Sequence, residues 1–264
     1  MKEVKFLIDN NVDINSSLEL FGDIETYNET LKEFKEGING KLAQIDKYFK
    51  DQDMANYAIY VHSLKSDCKY FGFMKLADMA YQHEVKSKEN DYKFVKEHYD
   101  ELIKEVSRVK GIVDEYLGTE EDTNNMYEEP AEPDTLREEG IILVADDSEV
   151  IRIYVKKIFD DDYELAFAED GKQTIDIIKQ HENDNRIKAI LLDLNMPVID
   201  GFGVLDYLKN NELLDKMPVT IISGDQSKES IDKAFNYGIV DMLSKPFNES
   251  KIRDAVNKTI NKLG

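Results

Sequence analysis

Cysteine and long apolar runs are scarce in this sequence, and each shortage excludes a class of protein. Cys68 is the single cysteine in 264 residues, so no internal disulfide can form, as expected in a reducing compartment. No apolar run approaches the roughly 18 residues that a membrane-spanning helix needs, and the apolar stretch before Asp9 is too short for a signal peptide. We therefore expect a soluble, cytoplasmic protein that does not insert into a membrane.

Positive charge is also in short supply. Lysine and arginine number 34 against 55 acidic residues, which gives a net charge of -21. A chain this acidic is unsuited to nucleic-acid backbones or anionic membranes as its main partners. The imbalance is greatest in residues 119–139, which hold nine acidic side chains, one basic side chain, Pro130 and Pro133. This composition predicts a linker between two domains.

Residues 1–118 are expected to form an all-α bundle. Between Asp23 and Leu117 the apolar residues recur at helical spacing, and no segment alternates as a strand does. The breaks predict about four long helices after a short N-terminal element, with Asp23, Asp53 and Asp91 as N-caps.

Residues 140–264 have a different pattern, in which short apolar runs alternate with amphipathic stretches. The five runs are IILVA, YELAFA, IKAILL, PVTIIS and IVDML, with helices expected to begin near Ser148, Asp170, Gly203, Ser227 and Asn248. Five βα units predict a five-stranded parallel sheet in the flavodoxin-like order, covered by helices on both faces.

Chemically reactive side chains follow the strands of this half. Asp146 and Asp147 end the first strand, Asp193 the third and Ser223 the fourth, and Lys245 follows the fifth. The carboxyl ends of the first and third strands meet at the switch point of such a sheet. Carboxylates brought together there repel one another, and a hard divalent cation such as Mg²⁺ removes that repulsion. A single strand-end aspartate is most simply a solvated loop charge, but three with a serine and a lysine predict a site.

The motifs VADDS, LLDLNMPVIDGFG, IISG and LSKPF, spaced across residues 140–264, resemble the receiver domain of two-component response regulators. The resemblance implies that Asp193 accepts a phosphoryl group and that Ser223 and Lys245 contact it. It also implies Mg²⁺ as cofactor. The implied ligands are Asp147, Asp193 and the backbone carbonyl of Asn195, with Asp146 acting through water.

Two positions depart from the usual receiver pattern. Gly224 stands where a small residue, often alanine, gates the pocket, so access is expected to be open. Met242 stands where the family commonly has tyrosine or phenylalanine as a rotating switch. Methionine is flexible and can repack, so a different form of switch is expected.

His62 is the candidate reactive residue of the helical half. Val61, Leu64, Cys68 and Phe71 define an inward stripe, so His62, Lys65, Ser66 and Lys69 are expected to share another, accessible face. An ordinary solvated helix face would give the same spacing. On an accessible face, Lys65 can contact the oxygens of a phosphoryl group carried by His62.

Residues 15–117 resemble a histidine-phosphotransfer (HPt) domain. The resemblance lies in SLELFGDIETYNETLKEF, in the His62-x-x-Lys65 spacing and in Gly72, ten residues after the histidine. It implies that His62 is a second phospho-acceptor. Ser66 replaces the usual glycine and narrows the room for a docked partner, so transfer is expected to be slower or narrower. Histidine kinase dimerisation helices also present a histidine, but the acidic neighbour and the ATP-binding boxes that they need are missing from this sequence.

The expected function is a phosphorelay between His62 and Asp193 with Mg²⁺. The expected partners are a separate histidine kinase or other receiver domains, and contact between the two domains of this chain would allow exchange within one molecule. The chain itself is not expected to be an enzyme. One alternative is a non-catalytic module in which the phosphorylated receiver regulates partner binding by the helical half. Another is a metal-dependent phosphatase that uses the aspartate pocket.

Overall fold

The computed structural model describes residues 1–118, 138–224 and 227–263, and the chain divides into two compact units between residues 136 and 137. We call them the helical unit and the α/β unit. Most of the predicted linker, residues 119–137, lies outside the described residues, whereas its last two residues begin the first strand.

The helical unit has the four long helices that the periodicity predicts, but two short helices precede them where one short N-terminal element was expected. The helices are α1 (Lys5–Asp9), α2 (Ile14–Phe21), α3 (Ile24–Lys50), α4 (Met54–Tyr70), α5 (Met74–Lys88) and α6 (Tyr92–Leu117). The three predicted aspartate caps are confirmed, since Asp23, Asp53 and Asp91 accept hydrogen bonds from the first-turn amides of α3, α4 and α6. Within the described residues, no helix is long and apolar enough to cross a membrane.

Helix α4 lies at the centre of the helical unit, in contact with α2, α3 and α5. Its apolar side chains Tyr57, Val61 and Leu64 are fully buried, and most of its polar side chains are buried as well. A helix buried on nearly all sides must satisfy those polar groups with partners from its neighbours.

The α/β unit contains the five parallel strands expected from its five apolar runs. The strands are β1 (Glu138–Ala145), β2 (Tyr163–Ala168), β3 (Ile187–Leu192), β4 (Val219–Ser223) and β5 (Asp241–Ser244), in the order β2-β1-β3-β4-β5. The helices between and after them are α7 (Glu149–Phe159), α8 (Gly171–His181), α9 (Gly201–Asn210), α10 (Lys228–Phe235) and α11 (Glu249–Ile260). The predicted flavodoxin-like order is therefore confirmed.

The central strands are apolar because both faces of the sheet are covered. Ile190, Leu191 and Leu192 of β3 are fully buried, and they pair with Val219, Thr220 and Ile221 of β4. Four of the predicted helix starts coincide with N-caps, but α9 begins at Gly201, two residues before the expected position. The cause is Asp200, whose side chain caps α9 by accepting a hydrogen bond from Gly203.

Candidate functional site

The ends of β1 and β3 bring three carboxylates together. Carboxylate oxygens of Asp146, Asp147 and Asp193 all lie within 4.8 Å of one another. Asp146 and Asp193 are fully buried. Their positions are fixed by the backbone, because the amide of Asp193 donates to the carbonyl of Ala145 at 2.8 Å. We call these three carboxylates and Lys245 the acidic pocket.

Lys245 enters the acidic pocket from the end of β5. Its Nζ lies 2.7 Å from Oδ2 of Asp146 and 2.6 Å from Oδ2 of Asp193. The amide of Lys245 donates to the carbonyl of Ser223 at 2.9 Å, and the peptide bond to Pro246 is cis. Burial alone would lower the pKa of Lys245, but the negative charges of Asp146 and Asp193 raise it above its usual value. The ammonium therefore stays charged and joins the two buried carboxylates.

One lysine does not balance the three carboxylates. Burial, together with the charge of Asp193, raises the pKa of Asp146 to about 6 against the opposing effect of Lys245. A pocket of oxygen donors with excess negative charge suits a hard divalent cation. The residues present therefore fit Mg²⁺.

Of the other predicted site residues of the α/β unit, Asn195 contacts the pocket directly, and the remaining ones lie on or directly after β4 and β5. The amide of Asn195 donates to Oδ1 of Asp193 at 3.2 Å. Ser223 is fully buried at the end of β4, next to β3 in the sheet, and Gly224 follows it half-buried. Met242 is half-buried, packs against the core and pairs with Ile221 of β4.

Arg152 is a neighbour of the pocket that the sequence argument missed. Its Nη1 donates to the backbone carbonyl of Asp146 at 2.7 Å, and its side chain is 17% exposed. Arg152 thus holds the end of β1 through the backbone. The sequence does carry a sign of this role, because Arg152 comes four residues after the cap Ser148, near the start of α7 and close to the end of β1.

Gly201 lets the loop after β3 pack tightly, because a Cβ at this position would lie 2.3 Å from the carbonyl oxygen of Asp193. We expect Gly201→Ala to destabilise the α/β unit by about 1–3 kcal/mol, since the clash is with backbone that must shift. Chemical denaturation would measure this. Gly40→Ala is the control, because a Cβ there meets nothing within 4 Å inside α3, and it should stabilise the helical unit by about 0.5–1 kcal/mol. An unchanged Gly201→Ala midpoint would contradict the close approach.

The accessible face predicted around His62 is wrong. His62 is 1% exposed, Lys65 is 5% exposed and Ser66 is 4% exposed, and of the four residues predicted to share that face only Lys69 is half-buried. The physical reason is that α5 packs along this side of α4 and provides a carboxylate for its polar groups.

That carboxylate belongs to Glu84, which the sequence argument did not select. Oε1 of Glu84 lies 2.7 Å from Nδ1 of His62 and 2.7 Å from Nζ of Lys88, and Oε2 lies 2.6 Å from Nζ of Lys65. We call these four residues the Glu84 cluster. Burial alone would raise the pKa of Glu84, but the hydrogen bond from His62 and the charges of His62, Lys65 and Lys88 hold it well below its usual range. Glu84 is therefore an anion inside the bundle.

The comparisons with known proteins identify the α/β unit. Residues 142–257 match the family model described as the response regulator receiver domain, and this match includes no residue of the helical unit. The chain is 32% identical to the glycerol metabolism activator of Pseudomonas putida over 123 residues, which are 46% of this chain and 53% of that protein. The chain thus spans about half the length of that relative. It is also 30% identical to the chemotaxis protein CheY of Bacillus subtilis over 122 residues, 46% of this chain and 97% of that protein.

Among solved structures, a response regulator receiver domain protein from Clostridium thermocellum is similar at 27% identity and a TM-score of 0.42, covering 47% of this chain and 95% of that one. The family assignment depends on the sequence matches, of which the one to CheY spans nearly all of that protein. Through its α/β unit the chain belongs to the receiver family of two-component response regulators.

Proposed function

We propose that the protein receives a phosphoryl group on Asp193, with Mg²⁺ bound in the acidic pocket. The observation that carries the proposal is the contact of Lys245 with Asp193 inside a cluster of three carboxylates. Two of these carboxylates are fully buried, where charge is costly unless a ligand or a partner offsets it.

In the proposed step a carboxylate oxygen of Asp193 attacks phosphorus, and the bond from phosphorus to the donor breaks with its electrons leaving on the donor. Lys245 donates to a phosphoryl oxygen, and the hydroxyl of Ser223 hydrogen-bonds the same group. The reaction needs positioning and charge neutralisation more than covalent help from the protein.

The ligands that we assign to Mg²⁺ are Asp147, Asp193 and the backbone carbonyl of Asn195, with Asp146 acting through water. The ion would neutralise the charge that gathers on the phosphoryl oxygens during transfer. Gly224 leaves the entrance open for a donor, and Met242 replaces the aromatic switch with a side chain that repacks.

We further propose that His62 exchanges phosphoryl groups with an aspartate of a receiver, which makes the chain a phosphorelay protein. The supporting observation is the Glu84 cluster, in which Nδ1 of His62 faces a carboxylate at 2.7 Å. Such a contact orients the ring and leaves Nε2 as the nucleophile. The phosphoryl group would come from a separate histidine kinase or from another receiver.

One observation favours the alternative, in which the helical unit is a non-catalytic interaction module regulated by the receiver. His62 is 1% exposed, so a partner reaches Nε2 only if the surrounding side chains move. In the alternative the Glu84 cluster is a structural charge network of the bundle.

The two functions are separated by mixing two variants of the full chain. His62→Ala, phosphorylated on Asp193 by a small acyl phosphate and freed of excess donor, is added to Asp193→Asn, which retains His62. The relay predicts acid-labile, base-stable label on the second variant, as expected for phosphohistidine. The double variant His62→Ala/Asp193→Asn is the matched acceptor control and should take none. Equal label on both acceptors, or none on either, would favour the interaction module.

A further inference from the structure

Arg152 binds the peptide group that joins two of the three aspartates of the acidic pocket. We propose that this contact makes Arg152 a positioning residue of the Mg²⁺ site: by fixing the peptide group, it keeps the carboxylate of Asp147 beside those of Asp146 and Asp193. The inference rests on the proposed Mg²⁺ site, in which Asp147 is a direct ligand.

Asp147 lies beyond the end of its strand. The strand β1 ends at Ala145, and the amide of Asp146 still donates to the carbonyl of Ala168, the last residue of β2, at 3.0 Å. The side chain of Asp146 is also held, because its Oδ1 accepts a hydrogen bond from the amide of Ser148 at 3.0 Å. The next peptide group joins Asp146 to Asp147. Since it is planar, its orientation sets the direction in which the Asp147 side chain leaves the backbone.

Arg152 provides a hydrogen bond to the carbonyl of this peptide group. Nη1 of Arg152 donates to the carbonyl oxygen of Asp146 at 2.7 Å, from six residues further along the chain. Asp146 is fully buried, so its carbonyl needs a partner inside the protein. Arg152 is fixed on α7, near the helix start that Ser148 caps. A donor on a rigid helix therefore holds a peptide group that lies in a loop.

The charge of Arg152 acts in the opposite direction from its hydrogen bond. A guanidinium keeps its proton in proteins, and a positive charge near a metal site repels a divalent cation. Glu169 offsets part of this charge, since its Oε2 lies 3.8 Å from Nη2 of Arg152, but the side chain of Glu169 is 62% exposed. If charge dominated, removal of Arg152 would tighten Mg²⁺ binding. Positioning predicts weaker binding, so the sign of the change separates the two effects.

Arg152→Gln in the full chain tests the proposal. We expect the dissociation constant for Mg²⁺ to rise about tenfold, in line with the loss of a group that orients a metal ligand. Amide shifts in ¹H–¹⁵N spectra, followed while MgCl₂ is added, measure this constant without any phosphoryl transfer. Arg152→Lys keeps the charge and an N–H donor, so its dissociation constant should lie between those of the unaltered chain and Arg152→Gln.

Arg253→Gln is the matched control. Arg253 also donates to a backbone carbonyl, that of Ile158, at 2.6 Å, and it pairs with Asp162 and Glu249. Asp162 directly precedes β2, at the amino end of the strand, whereas the acidic pocket lies at the carboxyl ends of β1 and β3. Arg253→Gln should therefore lower the urea midpoint of the α/β unit and leave the Mg²⁺ dissociation constant within about twofold of the original.

Labelling of Asp193 by a small acyl phosphate gives a second readout. In Arg152→Gln the Mg²⁺ concentration for half-maximal labelling should rise about tenfold, while the rate at saturating Mg²⁺ should change much less. A merely structural role would lower the fraction of folded protein without moving the half-maximal concentration.

The outcomes separate this inference from the proposed function. Unchanged or tighter Mg²⁺ binding by Arg152→Gln would overturn the positioning role and leave the Mg²⁺ site standing. Equal weakening by Arg253→Gln would also overturn it, because any destabilised variant would then bind poorly. If Arg152→Gln does not fold, Arg152→Lys decides: weaker binding supports the role, and unchanged binding overturns it. An unaltered chain whose pocket amides do not respond to Mg²⁺ would overturn the Mg²⁺ site itself, and the role of Arg152 would fall with it.

Discussion

Asp193→Asn should abolish phosphorylation of the α/β unit by a small acyl phosphate. The substitution keeps the shape of the side chain but removes the carboxylate nucleophile, and an amide oxygen cannot replace it at a comparable rate. We expect labelling to fall by more than about a thousandfold, the scale seen when a nucleophile is removed from a preorganised site. Phosphoprotein gels or intact mass spectrometry would measure the loss.

The matched control for this prediction is Asp200→Asn in the same loop. Asp200 is exposed and caps α9 by accepting a hydrogen bond from Gly203 at 2.7 Å. Asparagine caps helices about as well as aspartate does, so both folding and labelling should persist. Base-labile label that survives in Asp193→Asn and disappears in Asp200→Asn would show that the acceptor has been misassigned.

Lys245→Met should cost more stability than any other single change considered for the acidic pocket. Lys245 is 6% exposed and is the cation that joins the fully buried Asp146 and Asp193. Removing it leaves like charges facing each other without compensation. The free energy of unfolding of the α/β unit should fall by about 3–5 kcal/mol without metal, the usual cost of breaking a buried ion pair.

Mg²⁺ should restore part of that loss. A cation that binds only the folded pocket adds stability in proportion to the logarithm of its concentration, and the variant has the larger charge excess to neutralise. Urea unfolding in chelator and in Mg²⁺ would measure the difference. Lys172→Met is the control, because the side chain of Lys172 is 63% exposed and pairs with Asp176 one helical turn away. Its effect should stay within about 0.5 kcal/mol. Equal small losses for both lysines would contradict the account of the pocket.

The α/β unit could be predicted in detail because its signals are local. The run IKAILL coincides with β3, and the polar caps fixed most helix starts. Parallel strands bring their carboxyl ends to one edge of the sheet, so the sequence pattern alone predicts that residues far apart along the chain share one pocket. Lys245 and Asp193 are 52 positions apart and in contact, as that reasoning required.

The candidate site of the helical unit is harder to predict from the sequence, because it depends on contacts between two helices. Helical spacing predicts a polar, solvent-accessible face that contains His62 and Lys65. The structure buries that face against α5 and satisfies it with Glu84, which is 22 positions after His62. Periodicity describes one helix and carries no information on which carboxylate of another helix will face it. The pair Glu84 and Lys88, four residues apart on α5, was the one local sign that Glu84 had a charged partner.

Locating the acyl phosphate in the unaltered chain would decide whether Asp193 carries the phosphoryl group. The protein is phosphorylated with a small acyl phosphate in Mg²⁺ and reduced with borohydride, which converts a phosphorylated aspartate to homoserine. Peptide mass spectrometry then finds the converted position. We expect homoserine at position 193, dependent on Mg²⁺ and lost when a chelator removes the ion. Conversion at Asp146, Asp147 or an exposed carboxylate, with Asp193 intact, would contradict it.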